Sequence, residues 1–161
     1  MHLSAPVLDS PPLWRRGLPE YLTRTSPAAG ADFSQSISGD SFVRLISVYC
    51  KFVADSNAAS REVVLSYEDA GGARFAVAGI NTTVTASQTA YYCFSAFQPE
   101  AVATVDSTAL VPLPPIILSP SQVWKLHVVN IQVGDQLSQI RVVRELFYTT
   151  DQPDTRAPYV F

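Results

Sequence analysis

Side chains able to carry catalysis or hold a metal are sparse in this 161-residue chain. It has two histidines, His2 and His127, and two cysteines, Cys50 and Cys93. A thiol nucleophile needs a neighbouring base, and only these histidines could supply one. Both cysteines sit inside strand-like runs. In a reducing compartment such thiols behave as small buried hydrophobes, and a Cys50–Cys93 disulfide is the alternative. His127 shares a strand face with Lys125, a poor neighbour for a cation, and a metal site there would need carboxylates to complete it. It reads as a structural histidine. Glu68-Asp69 and the Asp151/Asp154 pair could do acid–base work only if a cleft held them at a fixed separation. Both fall in turn sequences and read as solvated. The sequence contains no Gly-rich phosphate loop, no GxSxG elbow, no HExxH and no paired-cysteine zinc spacing. It therefore predicts no enzyme, no cofactor and no metal.

Two groups of residues carry more information. Arg44, Arg141 and Arg144 interrupt strand rows that are otherwise apolar. Each must reach water, pair with a carboxylate such as Glu62 or Glu145, or meet another chain. Tyr91, Tyr92, Phe94 and Phe97 crowd one short strand. They suit a core or a partner surface, and alternatively a sugar-binding platform together with loops around Asn81 and Asp106. Asn81-Thr82-Thr83 fits a glycosylation sequon but, without a secretory signal, reads as a loop.

Composition narrows the class. Hydrophobic residues make up 47% of the chain and charged residues 16%, against about 25% in ordinary globular proteins. The net charge is −3, and neither half holds a run of Lys and Arg, so nucleic acid is not an expected partner. The opening MHLSAPVLDSPPLWRR lacks the apolar stretch of a signal peptide. The run from 109 to 118 is about half the length of a membrane span and carries three prolines. The expectation is a soluble chain made in a cytoplasm, with no membrane partner.

The elements that must position these residues are strands. Gln122 to Thr150 reads as two long strands about a turn at Gly134 and Asp135, the expected spine of the domain. Trp124, Leu126 and Val128 alternate with Lys125, His127 and Val129; Ile140, Val142, Arg144, Leu146 and Tyr148 alternate with Arg141, Val143, Glu145 and Phe147. Residues 41–53 are apolar on both rows, with Phe42, Ile46, Val48, Cys50 and Phe52 in one. Residues 61–67 and 73–80 flank Glu68-Asp69-Ala70-Gly71-Gly72, a hairpin signal. Residues 88–97 form the aromatic strand, 98–108 a surface loop, and 109–118 an edge strand or a linker crossing between sheets.

Residues 1–40 hold five of the twelve prolines by position 27 and read as a Pro-rich arm, with one short helical turn near Pro19. The predicted organisation is all-β: an arm over 1–40, an antiparallel two-sheet, jelly-roll-like sandwich over 41–150, and a tail over 151–161. An open barrel is the second solution.

The Pro-rich arm precedes SFVRLISVYCKFVAD and the Ala59-Ser60-Arg61-Glu62-Val63-Val64-Leu65 hairpin. The domain closes with Asn130-Ile131-Gln132-Val133-Gly134-Asp135-Gln136-Leu137-Ser138-Gln139-Ile140-Arg141-Val142-Val143-Arg144-Glu145. Over roughly residues 41–150 this resembles small virion structural proteins of tailed bacteriophages, the group that includes jelly-roll head-decoration (cement) proteins. The resemblance implies a non-enzymatic virion protein that clamps capsid subunits, working as a homotrimer on itself and the major capsid protein. Neck, spike-base and baseplate parts, or a carbohydrate-binding sandwich for host attachment, are the alternatives. Candidate partner-binding residues are Trp14, Arg15, Arg16, Leu18, Tyr21, Leu22, Arg44, Arg141, Arg144, Tyr159 and Phe161.

Overall fold

A computed structural model of the chain describes residues 17–80, 82–97, 103–105 and 108–148. All regular structure among them is β: β1 (Leu18–Thr23), β2 (Phe33–Ser36), β3 (Ser41–Val53), β4 (Glu62–Glu68), β5 (Arg74–Gly79), β6 (Thr89–Ser95), β7 (Ala103–Val105), β8 (Thr108–Pro112), β9 (Ile117–Leu118), β10 (Val123–Val129) and β11 (Gln136–Tyr148). The larger sheet runs β1-β11-β3-β6-β8-β7, with β9 added to β3; the smaller runs β2-β10-β4-β5.

Setting aside β7, β8 and β9, eight strands remain. Numbered afresh along the chain, they lie in the order 1-8-3-6 in one sheet and 2-7-4-5 in the other. That is the jelly roll. Among these eight, only the β4–β5 hairpin links neighbours within one sheet. Every other connection crosses the sandwich, because each strand has a buried face that must find the opposite sheet.

Several expectations need correction. β10 and β11 are not a hairpin: β10 pairs with β2 and β4, while β11 pairs with β1 and β3. The Gly134 turn carries the chain from one sheet to the other. No helical turn forms near Pro19. Residues 18–23 form an edge strand on β11, where a proline on the open side has no donor to lose. β1 and β2 thus place much of the expected arm in the sheets. Residues 103–105, expected in a loop, are strand β7. The run 109–118 does not cross between sheets: β8 and β9 both belong to the larger sheet, and only β9, paired with β3 alone, is left with an open side. β8 lies between β6 and β7, and Pro112 falls beyond the segment that β7 pairs. The β6–β8 pair is parallel, the one departure from an otherwise antiparallel arrangement among the described strands.

The core lies between the sheets. Trp124, Leu126 and Val128 of β10 are almost wholly buried, as their alternation predicts, and Trp124 packs on Phe33 with ring centroids 5.1 Å apart. β3 departs from simple alternation. Two of its residues, Leu45 and Ser47, bracket an extra Ile46 opposite Arg144 and Val143. A bulge of this kind flips the parity of the row. Val43 and Leu45 therefore join Val48, Cys50 and Phe52 inside, and Phe42 and Ile46 leave the row expected for them. β11 carries its own bulge between Ser138 and Arg141, with Gln139 at φ +51°, so Leu137 and Ile140 both point inward.

Candidate functional site

Four connections gather at one end of the sandwich: 24–32, 54–61, 80–88 and 130–135. Backbone hydrogen bonds tie them to one another. Gly30 donates to Asp135, Ala54 to Gln88, Ser87 to Asp55, and Arg61 exchanges a pair with Val84. At their centre is Arg61, fully buried. Its Nε donates to Asp135 Oδ2 at 3.0 Å, one terminal nitrogen to the carbonyls of Asn57 and Ala59, and the other to Asp55 Oδ1. Asp135 also accepts the backbone N–H of Asp55 and of Gln132. Burial pushes the Asp135 carboxyl up, but these hydrogen bonds and the Arg61 charge outweigh it and hold it below its ordinary value.

The same knot depends on two close approaches. Gly30, at φ +72°, lies where a Cβ would come within 2.9 Å of the Val133 Cα, and a Cβ on Gly134 would come within 2.9 Å of the Asp55 side chain. Val133 stands 82% exposed at the tip. Such a closed network makes a rigid platform rather than a reactive centre.

The outer face of the larger sheet is built differently. Register places Tyr21 beside Val143, Arg141 beside Tyr49, Tyr49 beside Cys93, and Cys93 beside Leu110. Tyr49 and Tyr91 stack with centroids 6.4 Å apart. Lys51 and Arg141 are the charges among these rows, and neither has an ion pair to any described residue. Tyr21 is 80% exposed. This is a broad, aromatic, weakly cationic surface.

The arginines singled out in the sequence divide. Arg44 pairs with Glu145, the partner the sequence suggested, and lies 5.7 Å above the Phe147 ring. Arg144 pairs with Glu20 of β1 at 2.8 Å, a partner the sequence did not suggest. Arg141 is exposed. Leu18 and Tyr21 are exposed on β1, and Leu22 packs against the core. Trp14, Arg15, Arg16, Tyr159 and Phe161 lie outside the described residues.

His127 Nδ1 sits 2.6 Å from Asp32 Oδ2, and Asp32 Oδ1 accepts the Val128 N–H, so the histidine is tied to a structural carboxylate. Cys50 and Cys93 are free thiols. Of the aromatic strand, Tyr92 and Phe94 are core residues, Tyr91 belongs to the outer face, and Phe97 is exposed.

A cleft of about 310 Å³ opens between the two sheets beside β6. Ile80, Val84, Ala90, Tyr92 and Ala109 line it together with Thr82, Thr83, Gln88, Thr89 and Tyr91. The sequence drew attention to Tyr91 and Tyr92 but not to the threonines or Gln88, because the cleft exists only once the 80–88 connection folds against β6 and β8. Comparison of the chain with models of known protein families and with curated proteins finds no match.

Proposed function

We propose that this chain is a non-enzymatic structural component of a tailed-phage virion, in the first instance a capsid decoration (cement) protein that clamps neighbouring capsid subunits. On this reading it is made in the host cytoplasm, assembles as a homotrimer and meets the major capsid protein. Neck, spike-base and baseplate positions are variants of the same role. The observation that supports it is the outer face of the larger sheet, where Tyr21, Tyr49, Tyr91, Val143 and Leu110 surround Lys51 and Arg141. Aromatic residues and arginine are enriched at protein interfaces and acidic residues depleted, and a rigid β-scaffold limits the entropy lost on docking. The jelly roll suits the role, since viral capsid domains are among the proteins that use it; that part of the argument is fold analogy.

The test is binding to capsids assembled without this protein. Saturable binding at fixed stoichiometry and raised heat resistance of the particle are expected, both weakened by Tyr49→Ala combined with Arg141→Glu. Protein that ignores such capsids and leaves their heat resistance unchanged would overturn the cement reading.

A further inference from the structure

The geometry points to the cleft beside β6 as a binding site for a neutral carbohydrate unit. Its volume, about 310 Å³, lies at the small end of the range for small-molecule sites. Its lining divides by chemistry. Ile80, Val84, Ala90 and Ala109 supply an apolar floor, and Thr82, Thr83, Gln88 and Thr89 supply hydroxyls and an amide. Among the described residues, none lining it is charged. An anion or cation bound there would lose hydration with no opposite charge to replace it, so ionised ligands are disfavoured. A purely apolar ligand would leave the hydroxyls covered and unpaired, which is also costly. A sugar ring offers what the cleft matches, an apolar C–H face and an edge of hydroxyls, with the Tyr91 ring as a wall.

One further observation favours a ligand. Gln88 is fixed in place. Its backbone carbonyl accepts the Ala54 N–H and its side-chain Oε1 accepts the Thr85 N–H. The amide nitrogen of that side chain is left as a pre-positioned donor. The cleft shares Tyr91 with the outer face of the larger sheet but neither Tyr49 nor Arg141, the residues varied in the capsid test, so the two readings are tested by different variants.

The experiment is an NMR titration of the full-length, nitrogen-labelled chain with methyl glycosides of glucose, galactose, mannose and N-acetylglucosamine, alongside sodium phosphate. Saturable shifts are expected at the amides of residues 82–84 and 88–91 with at least one glycoside, and none there with phosphate. The Thr82→Ala/Thr83→Ala variant should bind about tenfold more weakly, the effect of losing two neutral hydrogen bonds. Thr89→Ala tests the opposite wall if the double variant does not fold. No saturable shift with any glycoside, shifts confined to other surfaces, a stronger response to phosphate, or unchanged affinity in the folded variants would each overturn the proposal.

Discussion

Arg61 Nε donates to Asp135 Oδ2 across 3.0 Å while both side chains are completely shielded from water. Such a pair is tolerated because Asp55, Asn57 and Ala59 take the other guanidinium donors. Removing one member strands the other as an uncompensated buried charge, at a cost of about 3–5 kcal/mol. Arg61→Ala should therefore lower unfolding stability by about that amount in urea titrations. Arg61→Met, which keeps much of the volume, should not restore it. A loss below about 1 kcal/mol, the level of an average substitution, would show that the knot does not hold the loop end together.

The same knot should make the protein acid-sensitive. The Asp135 carboxyl is held below its ordinary value in the folded chain. A lowered folded pKa contributes stability that is complete above the unfolded value, about 3.9 for Asp, and is lost as pH falls through the folded value. Stability should thus drop as pH is lowered through about 4 and below. Asp135→Asn should start less stable at neutral pH and show a shallower acid slope. Equal slopes for the two proteins in denaturant titrations across that range would refute the assignment.

Truncation separates the edge strand from what precedes it. β1 pairs with β11 from Leu18↔Leu146 to Thr23↔Arg141, and Gly30 donates to Asp135. Deleting residues 1–16 removes none of these contacts, so the urea midpoint of that protein is the reference against which the loss of β1 is read. Deleting 1–30 strips β1 from β11, leaves Arg144 without Glu20 and bares a sheet edge. That protein should be several kcal/mol less stable or aggregate. If both truncations unfold at the same midpoint, β1 contributes nothing to the sandwich.

The cysteines should differ sharply in reactivity. Burial, with a smaller contribution from Cys93, pushes the Cys50 thiol far above its ordinary pKa, and the side chain is inaccessible. Cys93 lies half-buried on the outer face, with its Sγ 3.9 Å from the Ser47 hydroxyl. A thiol-specific reagent should label Cys93 in the native protein and reach Cys50 only in denaturant. Labelling of neither thiol even in denaturant would mean a disulfide.

How much of this was legible in advance varies by residue. The β10 core face could be read directly, because Trp124, Leu126 and Val128 obey a strict two-residue period. The β4–β5 hairpin was visible for a similar local reason, its Asp69-Ala70-Gly71-Gly72 turn. The inner row of β3 was misjudged at Phe42 and Ile46, because a single bulged residue inverts every side chain on one side of it. Arg61 passed unnoticed. An arginine at the start of a strand looks solvated until Asp55 and Asp135, six and seventy-four positions away, close over it.

By itself, then, the sequence determined the class of the fold. Period-two alternation, β-branched and aromatic runs, and turn residues are local properties that each segment carries alone. Tertiary structure decided the pairing of β10 and β11 with different sheets, the entry of 18–23 into an edge, the Arg61 knot and the cleft beside β6. Each joins segments far apart in the chain. Which distant strand covers which apolar face is settled by the joint packing of both sheets, a property no single stretch of sequence contains.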